Sequence, residues 1–163
     1  MGMAVFFAPV SAAKLEELRK DPESIEEFLY PDEDDEADGS FDVDKAWHGL
    51  HYLFTGTAWG GEGPLAQAIL GGEAIGEDLG MGPARFLLPA QVRAVAAALA
   101  GLTEDDLRAR FDPQQMKALD IYPDIWVQEG DEAFEYLMEN YQPLVEFYAG
   151  AAGRGDGVIL SLG

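Results

Sequence analysis

Asp42-Val43-Asp44-Lys45-Ala46-Trp47-His48-Gly49-Leu50-His51-Tyr52-Leu53-Phe54-Thr55-Gly56-Thr57 is the stretch from which the rest of the chain reads outward. It holds both histidines and one of the three tryptophans. Asp42 has the side chain of an N-cap, able to accept from free backbone N–H groups two or three residues on. Asp44 then falls in the first turn, where a negative charge suits the positive end of the helix dipole. Gly56 supplies the left-handed residue that ends a helix. At about 100° per residue, Val43, Ala46, Trp47, Leu50, Leu53 and Phe54 share one arc of about 120°, a core-facing stripe.

Beside the stripe lies a polar edge of Asp44, His48, His51 and Thr55. Asp44 and His48 are four residues apart and His48 and His51 three, so a helix brings all three within reach. Two imidazoles and a carboxylate are a donor set that a metal accepts. The helix terminus already accounts for Asp44, however. The expectation is therefore that Asp44 supports the helix start, His48 is solvated and His51 hydrogen-bonds at the boundary of the core, with no metal and no cofactor.

Outward from this helix, Met3 to Ala8 reads as a strand buried on both faces and closed by Pro9. Ser11 caps a helix to Lys20, and Asp21-Pro22 opens a second short one with Pro at its first position. Residues 31–40 carry six acids in the eight residues up to Asp38 and no large apolar side chain before Phe41. Like charges repel and resist packing, which predicts a mobile acidic loop within the domain. Gly56 to Gly82 contains nine glycines, Trp59 and one short helix at 64–70, with Glu73 to Leu79 as a strand or turn. A connection this rich in glycine is functional or mobile. Arg85 to Leu88 is a second strand, followed by an alanine-rich helix from Pro89 to Ala100. Thr103 and Asp112 cap two further helices, with the pairs Leu102/Leu107 and Phe111/Met116 placed as hydrophobic staples. Ile121 to Val127 reads as a loop leading into a short extended piece. Asp131 to Ala151 is a long amphipathic helix interrupted by Pro143. Val158 to Leu162 is a last strand, expected beside the first. The whole is one α+β domain over residues 1–163, a small mixed sheet of terminal and central strands covered by about seven helices.

Composition bounds function further. The 163 residues carry 31 acids and 10 Lys or Arg, a net charge of −21, and no cysteine. Disulfides, thiol catalysis and cysteine-ligated zinc are thereby excluded. Polyanion binding gains from displaced counterions through Lys and Arg, so neither nucleic acid nor an anionic membrane is an expected partner. A basic protein is. The N-terminus shows no secretory pattern, and the expected location is the cytoplasm.

Chemistry-bearing motifs are sparse. There is no Gly-x-Ser-x-Gly elbow, no His-Glu-x-x-His and no Walker A loop. The strongest constellation is His51 and Asp44 as candidate catalytic groups, with Trp47, Thr55, Thr57, Trp59, Arg85 and Tyr122 as candidate ligand-binding residues beside the glycine-rich loop. His51 would serve as a base near neutral pH and Arg85 as an anion clamp. The other reading of the same residues is a buried polar network that fixes the central helix.

Asp42, Asp44-Lys45, Trp47, Leu50-His51 and Thr55-Gly56-Thr57 also resemble the central motif of the YfbM-like family, a bacterial domain of unknown function. The resemblance extends through Met1-Gly2-Met3, Gly63-Pro64-Leu65, Leu70-Gly71, Gly82-Pro83-Ala84-Arg85-Phe86-Leu87, Ile121-Tyr122-Pro123 and the last helix and strand. It implies a cytosolic α+β domain and brings no activity with it. Two functions follow as expectations. The first is a non-catalytic interaction module that uses an acidic surface to engage a protein partner, with an immunity-type role against a toxin as one form. The second is a small-molecule-binding protein or enzyme with its site at His51 and the Gly56–Gly82 loop.

Overall fold

Alternating burial sets the sheet. In β1 (Val5–Val10), Val5 and Phe7 enter one core while Ala8 and Val10 enter another, as a strand covered on both faces requires. β5 (Gly157–Leu162) lies antiparallel beside it, with Val158 and Leu160 on the first face and Ile159 on the second. A computed structural model describes residues 2–31 and 39–163. Residues 32–38, the heart of the predicted acidic loop, lie outside the described residues. With β2 (Phe41–Asp42), β3 (Glu73–Asp78) and β4 (Pro83–Leu87) the sheet has the order β2-β1-β5-β4-β3. The two terminal strands are thus neighbours, as read from the sequence. Among the described residues all four pairings are antiparallel, without the parallel pair that a mixed sheet would hold.

Pro9 does not close β1. Ala4 and Gly163 exchange both backbone bonds, so alternation puts Phe6, Ala8 and Val10 in bonded pairs and Pro9 in a non-bonded one. Its missing N–H points away from β5, and β2 pairs only with Phe6 and Phe7, so nothing is lost. At the other edge, β3 carries a register shift between Ile75 and Asp78, and all its residues except Ile75 are exposed.

Helices cover both faces. α1 (Ala12–Lys20), capped by Ser11, and α2 (Ile25–Leu29) close the second face through Leu15, Leu18, Ile25 and Leu29. The first face is covered by α3 (Trp47–Thr55), α4 (Pro64–Gln67), α5 (Pro89–Ala100), α6 (Glu104–Arg110), α7 (Pro113–Ala118), α8 (Trp126–Glu129) and α9 (Asp131–Arg154). Thr103 and Asp112 cap α6 and α7 as predicted, Thr103 in a full capping box with Asp106. Where 121–127 was expected to end extended, it curls into α8. Trp126 donates its indole N–H to the Ile121 carbonyl at 2.8 Å, and the Gly130 N–H returns to Trp126. α9 continues beyond Ala151 to Arg154 and stops on left-handed Gly155.

The central helix is deeper than its stripe suggests. Every residue from Ala46 to Phe54 is buried, because α4, α6 and α9 surround α3. Gly49 is what lets this happen, since a Cβ there would stand 2.6 Å from the Trp126 ring and 2.8 Å from Leu137. Burying a ring the size of Trp47 removes about 150–250 Å² from water, worth about 4–6 kcal/mol. The helix begins later than predicted. Asp42 pairs with Phe6 in β2 and accepts the Asp44 N–H at 2.8 Å, and a 3₁₀ turn over Asp44–Ala46 leads into α3. Among the described residues no helix is long and apolar enough to cross a membrane.

Candidate functional site

Both histidines of α3 reach for the same loop. His48 accepts the Tyr122 backbone N–H on Nδ1 at 2.8 Å, which leaves the proton on Nε2. That nitrogen donates to the Ala58 carbonyl at 2.8 Å. His48 is therefore neutral and buried, not solvated as the sequence suggested, and burial pulls its pKa below the usual imidazole value. One turn on, His51 Nε2 faces the Gly60 carbonyl at 2.8 Å and must carry the proton that binds it. Its Nδ1 is buried with no hydrogen-bond partner among the described residues. Burial holds His51 down to about 4, against the opposing pull of the Gly60 bond.

The two carbonyls so gripped belong to residues 58 and 60, and between them stands Trp59, 61% exposed. Its ring leans on His48 at 4.7 Å between centroids and on Trp47 at 6.1 Å. Gly60 makes the arrangement possible, because its φ of +75° turns the carbonyl back toward α3 where a side chain would be strained. Thr55 tightens the same turn. Its hydroxyl donates to the His51 carbonyl at 2.9 Å and accepts the Thr57 N–H at 3.1 Å, and the Thr57 hydroxyl lies 2.9 Å away.

Trp47 joins this loop to a second segment. It is buried, stacks on His48 at 4.8 Å and on Tyr122 at 5.9 Å, and donates its indole N–H to the Met3 carbonyl. The Tyr122 hydroxyl accepts the Met3 N–H, so residue 3 is pinned from both sides. Tyr122 and Pro123 are joined by a cis peptide. Alternate residues of this segment then line two grooves. Tyr122 and Asp124, with Lys117, Asp120 and Ile121, line one of about 270 Å³. Pro123 and Ile125, with Asp44, Lys45, Glu129, Glu132 and Tyr136, line the other, of about 350 Å³. Five carboxylates face these grooves against two lysines, and Lys117 lies 3.9 Å from Asp124.

Asp44 belongs to the second groove and not to the histidines. It has left-handed backbone, φ 52°, and accepts the Tyr136 hydroxyl at 2.6 Å. That bond keeps its carboxyl below the usual range, while burial, aided by the same bond, pushes Tyr136 upward. Arg85 is also placed elsewhere. It donates to the Gly71 carbonyl at 2.6 Å and to that of Ile69 at 3.2 Å, bracing the glycine-rich loop from β4. Among the candidates, the structure thus gathers His51, Thr55, Thr57, Trp59, Trp47 and Tyr122 into one neighbourhood, with His48 added. It sends Asp44 and Arg85 to other tasks. The groove residues Lys117, Asp120, Asp124, Glu129, Glu132 and Tyr136 carried no sequence signal, since the contact from Asp44 to Tyr136 spans 92 positions.

Comparison with known proteins gives a consistent result. A family described as Domain of unknown function (DUF1877) matches residues 1–161. The chain is 28% identical over 163 residues to Protein YfbM of Escherichia coli (strain K12), an alignment covering 96% of this chain and 95% of that protein. Its fold is similar to the crystal structure of YfbM from Escherichia coli, described as a protein of unknown function. The TM-score is 0.77 at 22% identity, covering 98% of this chain and 99% of the other.

Proposed function

The chain belongs to the DUF1877 family, and from that premise we propose that it is a non-catalytic interaction module of the bacterial cytoplasm. It engages a basic protein partner through exposed Trp59 and through the acidic grooves along residues 120–125. The observation that carries this reading is the presentation of Trp59. Two buried histidines, one with a ring nitrogen lacking a partner among the described residues, hold the carbonyls on either side of an exposed indole. A buried polar atom without a partner costs about 1–3 kcal/mol, so the clasp is not free. Tryptophan, with tyrosine and arginine, is enriched among the residues that dominate protein–protein affinity. The two grooves along residues 120–125 supply carboxylates, and the net charge of −21 draws a cationic partner from a distance.

A small-molecule site centred on His51 is less well supported. His51 Nε2 and the Arg85 guanidinium are both engaged by backbone carbonyls, so neither is presented to a substrate. An immunity-type role against a toxin is one form the interaction reading takes.

The test is capture of proteins from native cytosol at low and high salt, by the native chain and by an Asp44→Asn, Glu129→Gln, Glu132→Gln variant. Basic proteins should be retained at low salt by the native chain and released by salt or by the substitutions. Identical sets captured by both chains would overturn the reading.

A further inference from the structure

We infer, resting on the interaction reading above, that the groove beside Asp44 and Tyr136 receives a lysine side chain of the partner. Its ammonium lies among the carboxylates and its methylene stem on Pro123 and Ile125. The groove measures about 350 Å³, and four segments meet around it. The turn ahead of α3 brings Asp44 and Lys45, the 121–125 segment brings Pro123 and Ile125, and Glu129 ends α8. Glu132 and Tyr136 are four residues apart on α9 and so share one face of that helix. Asp44 is fixed in place by the Tyr136 hydroxyl at 2.6 Å.

Two properties of the lining select the occupant. One is charge left uncompensated from within. Lys45 forms no ion pair with Asp44, Glu129 or Glu132, and its stem lies beside Gly2. In the smaller groove, by contrast, Lys117 stands 3.9 Å from Asp124 and already supplies a cation. The other property is apolar surface. Water serves exposed carboxylates well, but it serves the half-buried Pro123 and Ile125 poorly. An inorganic cation would satisfy the acids alone, and an apolar side chain the floor alone. Lysine does both, because its stem covers apolar surface while the ammonium keeps to the charged rim. Its three donors point apart and suit carboxylates from three different elements, whereas the planar guanidinium fork matches a single one. A groove on either side of one segment also fits a chain with successive basic side chains better than a free amine.

The experiment is a titration of the full chain at low salt and about pH 6.5, where side-chain amines are charged, followed by amide NMR. The probes are a short peptide alternating lysine and serine, its counterpart with diaminobutyrate for lysine, and its arginine counterpart. The first two carry equal charge and differ by two methylenes per basic side chain. Half-burying those methylenes should make the lysine peptide bind about fourfold more tightly than the diaminobutyrate one. Amide shifts should centre on Asp44, Lys45, Ile125 and Glu132. Ile125→Ser should abolish the preference while both peptides still bind. The comparison on the native chain stands whether or not that variant folds. Equal affinities for the lysine and diaminobutyrate peptides, a preference that survives Ile125→Ser, tighter binding of the arginine peptide, or shifts confined to the Lys117 groove would each overturn the lysine assignment. Each would leave the acidic-groove reading intact. Failure of all three peptides to bind at low salt would overturn that reading itself.

Discussion

Replacing His51 by glutamine should make the protein markedly less sensitive to acid. In the native chain His51 titrates at about 4 when folded, against 6.5 when exposed. The unfolded chain therefore takes up a proton on this residue as pH falls below about 6.5, while the folded chain stays neutral until about pH 4. The stability tied to the neutral imidazole is present in full above 6.5 and is lost progressively down to about pH 4. A shift of this size corresponds to about 3 kcal/mol. Glutamine places an amide N–H close to where Nε2 stands, so the bond to the Gly60 carbonyl is kept, and in place of Nδ1 it brings an amide oxygen that takes up no proton in this pH range. At pH 7 the variant should lie within about 1 kcal/mol of the native chain. Between pH 7 and pH 4 it should gain about 3 kcal/mol relative to it. Urea unfolding followed by circular dichroism at a series of pH values measures this difference directly. The carboxylates and His48 are common to both proteins, and their contributions cancel to first order. A difference that stays flat from pH 7 to pH 4 would mean that Nδ1 is open to protons in the folded state, and the description of a sealed clasp would fall.

Two further outcomes follow from packing and from the glycine-rich loop. Gly49→Ala inserts a methyl 2.6 Å from the Trp126 ring; overpacking costs about 1–3 kcal/mol and outweighs the gain of about 1 kcal/mol in helix propensity. The melting temperature should drop, and a rise would show that α3 and α8 have slack. Arg85→Met strips the Gly71 and Ile69 carbonyls of a charged donor, a loss of about 1.5–3 kcal/mol. Faster hydrogen exchange should be confined to the neighbourhood of 69–72 and β4, and an unchanged melting temperature would show that the brace is dispensable.

What the sequence made legible is local. Caps at Ser11, Thr103 and Asp112, the stop at Gly56 and the apolar run of β1 are all features within a few residues, and each is readable as physics of that segment. The expected pairing of the two terminal strands holds as well. What depended on distant partners was not readable. His48 lies beside the apolar stripe of α3, and nothing near it in sequence announces that Ala58 and Tyr122 will close over it. Asp44 reads in sequence as a helix-dipole partner, but left-handed backbone and the Tyr136 hydroxyl hold it in the 3₁₀ turn ahead of α3. The bend of 121–127 into α8 likewise depends on where the Trp126 indole finds its acceptor. Trp59 was legible as a large side chain on a loop; its clasp between two gripped carbonyls was not.

The two rims of the sheet bear on behaviour in a crowded solution. An extended segment from a neighbouring molecule needs a straight ladder of unpaired amides on which to template itself. At β3 it meets Glu73, Glu77 and Asp78 and a broken register, and β2 offers only two residues. Both rims discourage that growth. The native protein should therefore withstand concentration without fibril seeding, and any fibres that form should originate from the denatured chain.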